Sequence, residues 1–378
     1  MRAAVPLVIL SFFCTSLFAQ NSDINPKLGI NALWIPGDAK SLRERFRKVR
    51  ALGMREVRLD WEWRQVESKK GEYRWDAMDI LVRTAHEEGV TLLPIVHYAP
   101  SWAIRSERKP GDVYEMAPRE DSFADFAKFM LASVRRYGPG GNAPVPFAPI
   151  KYWQAWNEPN LPQFWGPKPD PAAFTRLMQQ IHASLAPVRG QIQIVHAGIS
   201  KVDIEFMWQL WEANPRHGET FDILAVHPYL YDGKDGIRDP EAMDSDEAKP
   251  AAMGFVGTVK DSGYMGKVFN LQLFMNLKGA VGKPIWITEM GYFVARHRLG
   301  VDEKGQAARL VRTLEFIRQR LTDKQFGQGT RALAANVQRV YWFSLEDYPS
   351  PEGLGTFGVY RPDGTLRPAA EELIKYRK

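Results

Sequence analysis

Ile150-Lys-Tyr-Trp-Gln-Ala-Trp-Asn-Glu-Pro-Asn160 decides how the rest of the chain reads. Tyr152, Trp153, Ala155 and Trp156 are the content of a buried, aromatic-rich strand. Asn157 and Glu158 follow at its end, and Pro159 has no N–H with which to extend a ladder. Lys283-Pro-Ile-Trp-Ile-Thr-Glu-Met-Gly291 repeats the pattern, an apolar strand ending on the lone carboxylate Glu289. Strands that carry polar groups to their C-terminal lips suit the open face of a barrel of alternating strands and helices.

Working outward, strands and helices alternate with little interruption. Leu28–Asn31, Glu56–Asp60 and Thr91–Val96 read as the first three strands. Gln193–Ala197, Phe221–Val226 and Arg339–Phe343 read as the fifth, sixth and eighth. Between them Leu42, Phe46 and Val49 mark one helix face, with Gly53 as its stop. Asp76 reads as the cap of the next helix, and Ser122 to Tyr137 as a third, stopped by Gly138. Asp170-Pro171 is a cap followed by a first helical residue. Asp302 and Pro368 open the last two helices. Eight such alternations predict a single (β/α)8 TIM barrel of the α/β class over residues 20–378, with no appended module. Asp232 to Gly266 exceeds the usual loop of ~2–6 residues and reads as a functional excursion over the open face.

The totals bound the function. In 378 residues, charged residues are 25% and hydrophobic residues 45%, values of a soluble globular protein. The net charge of +6 is spread along helices, which argues against a nucleic-acid partner. Arg2, the apolar run Val5 to Phe13 and Ala19 read as a signal peptide over residues 1–19, cleaved near Ala19. That run is too short for a comfortable membrane span, so a secreted or periplasmic protein free of the membrane is expected. The one cysteine, Cys14, lies inside the leader and leaves the mature chain without thiol chemistry. The seven histidines show no metal-ligand spacing, and no Gly-x-Ser-x-Gly elbow is present. No metal or organic cofactor is expected. Gly353-Leu-Gly-Thr-Phe-Gly358 matches a dinucleotide fingerprint in letters only; it leads into a turn at Arg361 to Gly364 and reads as a loop.

Cleaving a glycosidic bond takes a proton for the departing oxygen and electron density at the anomeric carbon, which two carboxyl groups can supply. Glu158 is assigned as acid/base and Glu289 as nucleophile, though a single Glu at a strand end is more often a surface residue. Asn157 is placed to hold a sugar hydroxyl, or is only a turn residue before Pro159. His227-Pro-Tyr229 puts an imidazole and a phenol at the same lip, with Tyr229 able to steady Glu289; rim packing is the bland alternative. Arg58 and His97 end the second and third strands, where Asp60 and Glu62 are either the partners of Arg58 or sugar ligands. Of twelve tryptophans, Trp34, Trp61, Trp63, Trp102, Trp156, Trp165 and Trp342 fall near strand ends. Trp102 and Trp342 are the leading candidates for stacking on a sugar ring, with core packing about as probable for any one of them.

These residues resemble clan A of the glycoside hydrolases over nearly the whole mature chain. Trp156-Asn-Glu-Pro159 looks like that clan's acid/base motif and Ile287-Thr-Glu289 like its nucleophile motif. Val57-Arg-Leu-Asp60, Gly71-Glu-Tyr-Arg-Trp75 and Tyr98-Ala-Pro-Ser-Trp-Ala103 look most like family 39, with family 5 close behind. The resemblance implies functional roles for Arg58, His97, Asn157, His227, Tyr229 and Trp342. It also implies a retaining hydrolase of a polysaccharide or oligosaccharide, with the two carboxyls about 5–5.5 Å apart. A catalytically silent sugar-binding barrel and a transglycosylase are the alternatives.

Overall fold

In the computed structural model the described residues are 27–32, 38–105, 115–229, 231–232, 236–237, 266–296, 300–321, 335–350 and 355–376. The elements run β1 (Lys27–Asn31), α1 (Ala39–Ala51), β2 (Glu56–Glu62), α2 (Trp63–Val66), α3 (Asp76–Glu87), β3 (Thr91–His97), α4 (Phe123–Tyr137), β4 (Tyr152–Ala155) and α5 (Pro171–Leu185). There follow β5 (Gln193–Val195), β6 (Ile199–Ser200), α6 (Ile204–Ala213), β7 (Leu224–His227), β8 (Tyr231–Asp232), β9 (Gly236–Ile237), α7 (Gly266–Leu277), β10 (Ile285–Met290), α8 (Glu303–Phe316), β11 (Val337–Trp342) and α9 (Pro368–Tyr376). Residues 1–19, Trp34 and most of the excursion after β7 lie outside the described residues; β8 and β9 form a small antiparallel ribbon within that excursion.

Nine parallel strands form one sheet in the order β5-β4-β3-β2-β1-β11-β10-β7-β6. Its two ends are pieces of one strand position. β5 pairs with β4, and β6, four residues further on, pairs with β7. Val195 bridges Ile223, and the His196 N–H donates to Ile223 O. The sheet therefore closes on itself in eight strand positions, the expected (β/α)8 barrel.

Local chemistry explains most boundaries. Asp38, Asp170, Asp203 and Asp302 accept backbone N–H bonds from Ser41, Ala173, Phe206 and Gly305, satisfying helix N-termini. Asp76 does not cap α3: it is the first helical residue, and Trp75 stands at the cap with no side-chain bond. There the acid sits in the first turn, where it favours the helix dipole.

The two-residue period of a strand sorts side chains into two layers. On β2, Val57, Leu59 and Trp61 pack outward against the helices. The alternate residues Arg58, Asp60 and Glu62 face the lumen, and Asp60 and Glu62 reach its open end. Leu93, Val195, Ile223, Ala225, Trp286 and Tyr341 fill the lumen floor, with Tyr152 against them. Among the described residues, no helix is long and apolar enough to cross a membrane.

Candidate active site

At the C-terminal mouth of the barrel, polar side chains from five strand positions form one connected network. Arg58 is wholly buried, and each nitrogen of its guanidinium has an acceptor. Nε donates to Gln154 Oε1 at 2.7 Å, Nη1 to Asn31 Oδ1 at 2.8 Å and to Glu289 Oε1 at 2.7 Å, and Nη2 to Asn157 Oδ1 at 2.8 Å. Asn31 in turn donates to the carbonyl of Thr288 at 2.9 Å, which ties β1 to β10 behind the nucleophile candidate. The Tyr229 hydroxyl donates to the other oxygen of Glu289 at 2.9 Å.

His227 links the two acids. Its Nδ1 lies 2.7 Å from Glu158 Oε1, its Nε2 2.9 Å from Thr288 Oγ1, and Nε2 3.8 Å from Glu289 Oε1. Room for the ring comes from Gly198, where an added Cβ would stand 2.0 Å from Nε2. One oxygen of each carboxylate and one His227 nitrogen lie within 4.8 Å of one another. A donor set of that kind could hold a cation, but Arg58 and Tyr229 already occupy the oxygens of Glu289. Burial pushes the Glu289 carboxyl up; the charges of His227 and Arg58, with the bonds from Arg58 and Tyr229, outweigh it and hold the group below the ordinary carboxylate value.

The backbone is bent to present these groups. Trp156 and Glu158 have φ of +71° and +39°, and Tyr98, Lys201 and Val202 are also in the left-handed region. Such conformations cost about 1–3 kcal/mol for a residue with a Cβ and gather where a site over-determines them. The Glu158 N–H reaches across to Gly198 O at 3.0 Å, which turns its side chain into the mouth. On β10 the pairing with β11 slips between Ile287 and Met290, and both Thr288 and Glu289 reach the network.

A cleft of about 480 Å³ opens over Asn157, Glu158, Tyr229 and Glu289. One wall is aromatic: Phe343, Tyr348 and Phe357 come from the segment after β11 and pack with Tyr229 and Phe293. Phe357 stacks on Tyr348 at 6.4 Å. A second wall carries Asp60, Glu62, Arg64, Tyr98 and Glu115.

Several expectations need correcting. Trp342 does not line the cleft. It points outward into the helix layer beside Tyr292, since on β11 Tyr341 faces the lumen and the two-residue period sends Trp342 the other way. Phe343, one residue on, takes the cleft position. Trp102 packs edge-on against Trp63 and donates to Glu67 O at 3.0 Å, away from the cleft. Trp61, Trp63, Trp156 and Trp165 are likewise core residues, so the described tryptophans leave the cleft to phenylalanine and tyrosine. His97 is buried behind the wall, stacked on Tyr98 at 3.5 Å with Nε2 3.0 Å from Asp60 Oδ1. Asp60 and Glu62 do not pair with Arg58, whose partners are Asn31, Gln154, Asn157 and Glu289.

The sequence reading missed Asn31, Gln154 and Thr288, all polar residues at or near strand ends, a signal that was there to be used. It also passed over the Gly353–Gly358 loop, whose Phe357 walls the cleft. A Cβ at Gly355 would fall 1.8 Å from Tyr348 O, so glycine there lets the loop fold tightly onto the wall.

No family model matches the chain, and no curated protein matches it. Solved structures do. A family 39 glycoside hydrolase from the gut symbiont Bacteroides cellulosilyticus WH2 aligns over 94% of this chain and 64% of its own, at 19% identity and TM-score 0.64. This chain thus spans a little under two thirds of that protein. A monomeric beta-xylosidase from Caulobacter crescentus CB15 aligns over 93% of this chain and 68% of its own, at 18% identity and TM-score 0.64. A family 5 enzyme of Bifidobacterium longum subsp. infantis aligns over 93% and 78%, at 14% identity and TM-score 0.58. The chain has the TIM-barrel fold of the clan A glycoside hydrolases, and families 39 and 5 are its structural neighbours.

Proposed function

We propose that the chain is a secreted, retaining glycoside hydrolase of that clan, acting on a polysaccharide or oligosaccharide. The observation that carries the reading is the meeting of Glu158 and Glu289. They are separated by 289 − 158 = 131 positions in sequence. In the fold, an oxygen of each comes within 4.8 Å of the other, at the mouth of one cleft. Retaining enzymes hold their carboxyls about 5–5.5 Å apart, whereas an inverting enzyme leaves about 6.5–9.5 Å for a water.

The residues divide the work by their surroundings. Glu289, held ionised by Arg58 and Tyr229, attacks the anomeric carbon as its bond to the leaving oxygen breaks. Glu158 gives its proton to that oxygen, and a glycosyl ester on Glu289 results. Water then adds at the same carbon, passing a proton back to Glu158 and releasing Glu289. His227 steadies Glu158 through both exchanges. Asn157, pinned by Arg58, keeps its amide N–H₂ for a hydroxyl of the sugar. The aromatic wall offers ring faces to the C–H face of the sugar.

The test is hydrolysis of a panel of purified bacterial and plant polysaccharides, with products sized and the first product's anomer read by NMR. Hydrolysis by wild type and not by Glu289→Gln, with retained configuration, is expected. Binding of a glycan with no turnover by wild type would favour the silent barrel, and elongated products with an added acceptor would favour transglycosylation. Export is part of the proposal and rests on Arg2, the Val5 to Phe13 run and Ala19. Mass spectrometry of exported protein should find a new N-terminus near Gln20; an intact Met1 would sink it.

A further inference from the structure

Five carboxylates line the cleft, and the chemistry above uses two of them. Asp60, Glu62 and Glu115 form a second group, on the wall that carries Arg64. Arg64 answers two of these: its Nε donates to Glu62 Oε2 at 2.6 Å, and its Nη1 to both oxygens of Glu115 at 3.0 Å. The same guanidinium lies 4.8 Å from the Tyr98 ring centre, which fixes its plane. Asp60 is answered by nothing of that kind. The residue is only 8% exposed, yet its carboxylate opens into the cleft, and its near neighbour among the described donors is His97. His97 Nε2 stands 3.0 Å from Oδ1 but out of line, and both ring nitrogens of His97 lack a hydrogen-bond partner.

A carboxylate that protein donors leave open on one side takes its hydrogen bonds from what fills the cleft, water or a ligand. Asp60 borders the cleft, so its carboxylate meets whatever enters. The sign of the local charge narrows the ligand further. Among the described cleft-lining residues only Arg64 and Lys201 are basic, against five acids, so this part of the cleft is acidic although the whole chain carries +6. A donor that is itself charged makes the shorter and stronger bond to a carboxylate, while an anionic ring meets repulsion from the carboxylates that outnumber the basic groups.

Building on the glycosidase reading, we propose that Asp60 anchors a subsite for a protonated amino group of the sugar, so that amino-sugar glycans are preferred over neutral ones and uronates are turned away. Glu62 supports the site from the same strand, with Arg64 holding its carboxylate and that of Glu115 in place.

The test is binding of monosaccharides to the full-length wild-type chain by ligand-observed NMR titration. The probes are the pairs D-glucosamine and D-glucose, D-galactosamine and D-galactose, and D-mannosamine and D-mannose, with D-glucuronate as the anionic control. In at least one pair the amine should bind about tenfold more tightly than its neutral partner, the gain of one charge-assisted bond. D-glucuronate should bind more weakly than D-glucose. Asp60→Asn should bring the amine-to-neutral ratio near one, and Glu62→Gln should reduce it by a smaller factor. If Asp60→Asn does not fold, added salt serves instead: the wild-type ratio should shrink as ionic strength rises. The proposal is overturned if no amine outbinds its neutral partner, if the preference survives in Asp60→Asn, or if it ignores salt. None of these results bears on the hydrolysis test with Glu289→Gln, so the two readings stand or fall separately.

Discussion

The two ends of the barrel lumen hold the same kind of ion pair and treat it in opposite ways. At the floor, Arg339 pairs with Glu56, which also accepts from the Tyr341 hydroxyl at 3.2 Å. The guanidinium lies between the rings of Tyr152 and Trp286, 4.6 and 4.3 Å from their centres. Aromatic faces and a hydroxyl crowd most of the space around it, so the pair is a plug. At the mouth, Arg58 pairs with Glu289, but its other donors hold three amide side chains, and Glu289 opens onto a cleft. What differs is the company: rings that exclude a ligand below, hydrogen-bonding groups that leave a face open above. The mouth also carries left-handed backbone at Tyr98, Glu158 and Lys201, whereas no residue of the floor is so strained. An ion pair in a barrel is thus a site only where the fold stops filling the space around it.

The largest effect that separates the ends should come from Glu289→Gln. Turnover should fall on the order of 10⁴-fold or more, with cooperative unfolding retained, because Arg58 keeps its bonds to Asn31, Gln154 and Asn157. Initial rates and a melting curve on one preparation check both halves. Loss of folding together with activity would make Glu289 a plug like Glu56.

Next comes the pair of neighbours on β11 and just after it. Trp342→Ala should cost about 3–5 kcal/mol of stability, with activity per folded molecule kept, as Trp342 is buried in the helix layer. Phe343→Ala should leave stability nearer to wild type but reduce kcat/KM about tenfold through the lost stacking wall. Urea unfolding and steady-state kinetics would show the reverse assignment if Trp342 were the sugar contact.

Breaking the floor plug should matter less. Glu56→Gln should destabilise by about 2 kcal/mol, less than a fully buried pair, since both side chains keep some exposure. Turnover per folded molecule should not change; a fall would mean the floor is coupled to the mouth.

The smallest effect is a pH dependence that separates stability from the cleft. Burial lowers His196 to about 4 and, with the neighbouring His196, holds His217 well below the usual imidazole value. Both are neutral when folded and take protons near 6.5 when unfolded. The unfolded state then binds more protons, so stability falls as pH drops from about 6.5 toward 4. Glu289 is lowered, so its contribution is present above the ordinary carboxylate value and is lost only below it. Melting temperature should therefore decline between pH 7 and 5, before any acid loss of the Glu289 charge. A flat profile over that range would contradict the neutral histidine pair.

The sequence alone determined the barrel and singled out Glu158 and Glu289, which the fold brings to one cleft. Alternating strands and helices, the cap residues Asp170 and Asp302, and two strands ending on Glu158 and Glu289 are local patterns, and local patterns survive without coordinates. Asn157, His227 and Tyr229 were legible for the same reason: a strand end in a barrel of this kind is a place at the mouth, whereas Arg58 lies inside β2 and reaches the network through its long side chain. Only the tertiary structure decided which aromatic residues meet the cleft. Trp342 and Phe343 are adjacent and chemically alike, and a one-residue phase in the pleat sends them to opposite layers. It also decided that Asp60 is left open to the cleft while Glu62 is held by Arg64, because donor geometry is set by chain segments far apart in sequence. Periodicity tells which side chains share a face; only packing tells which of them are left open to a ligand.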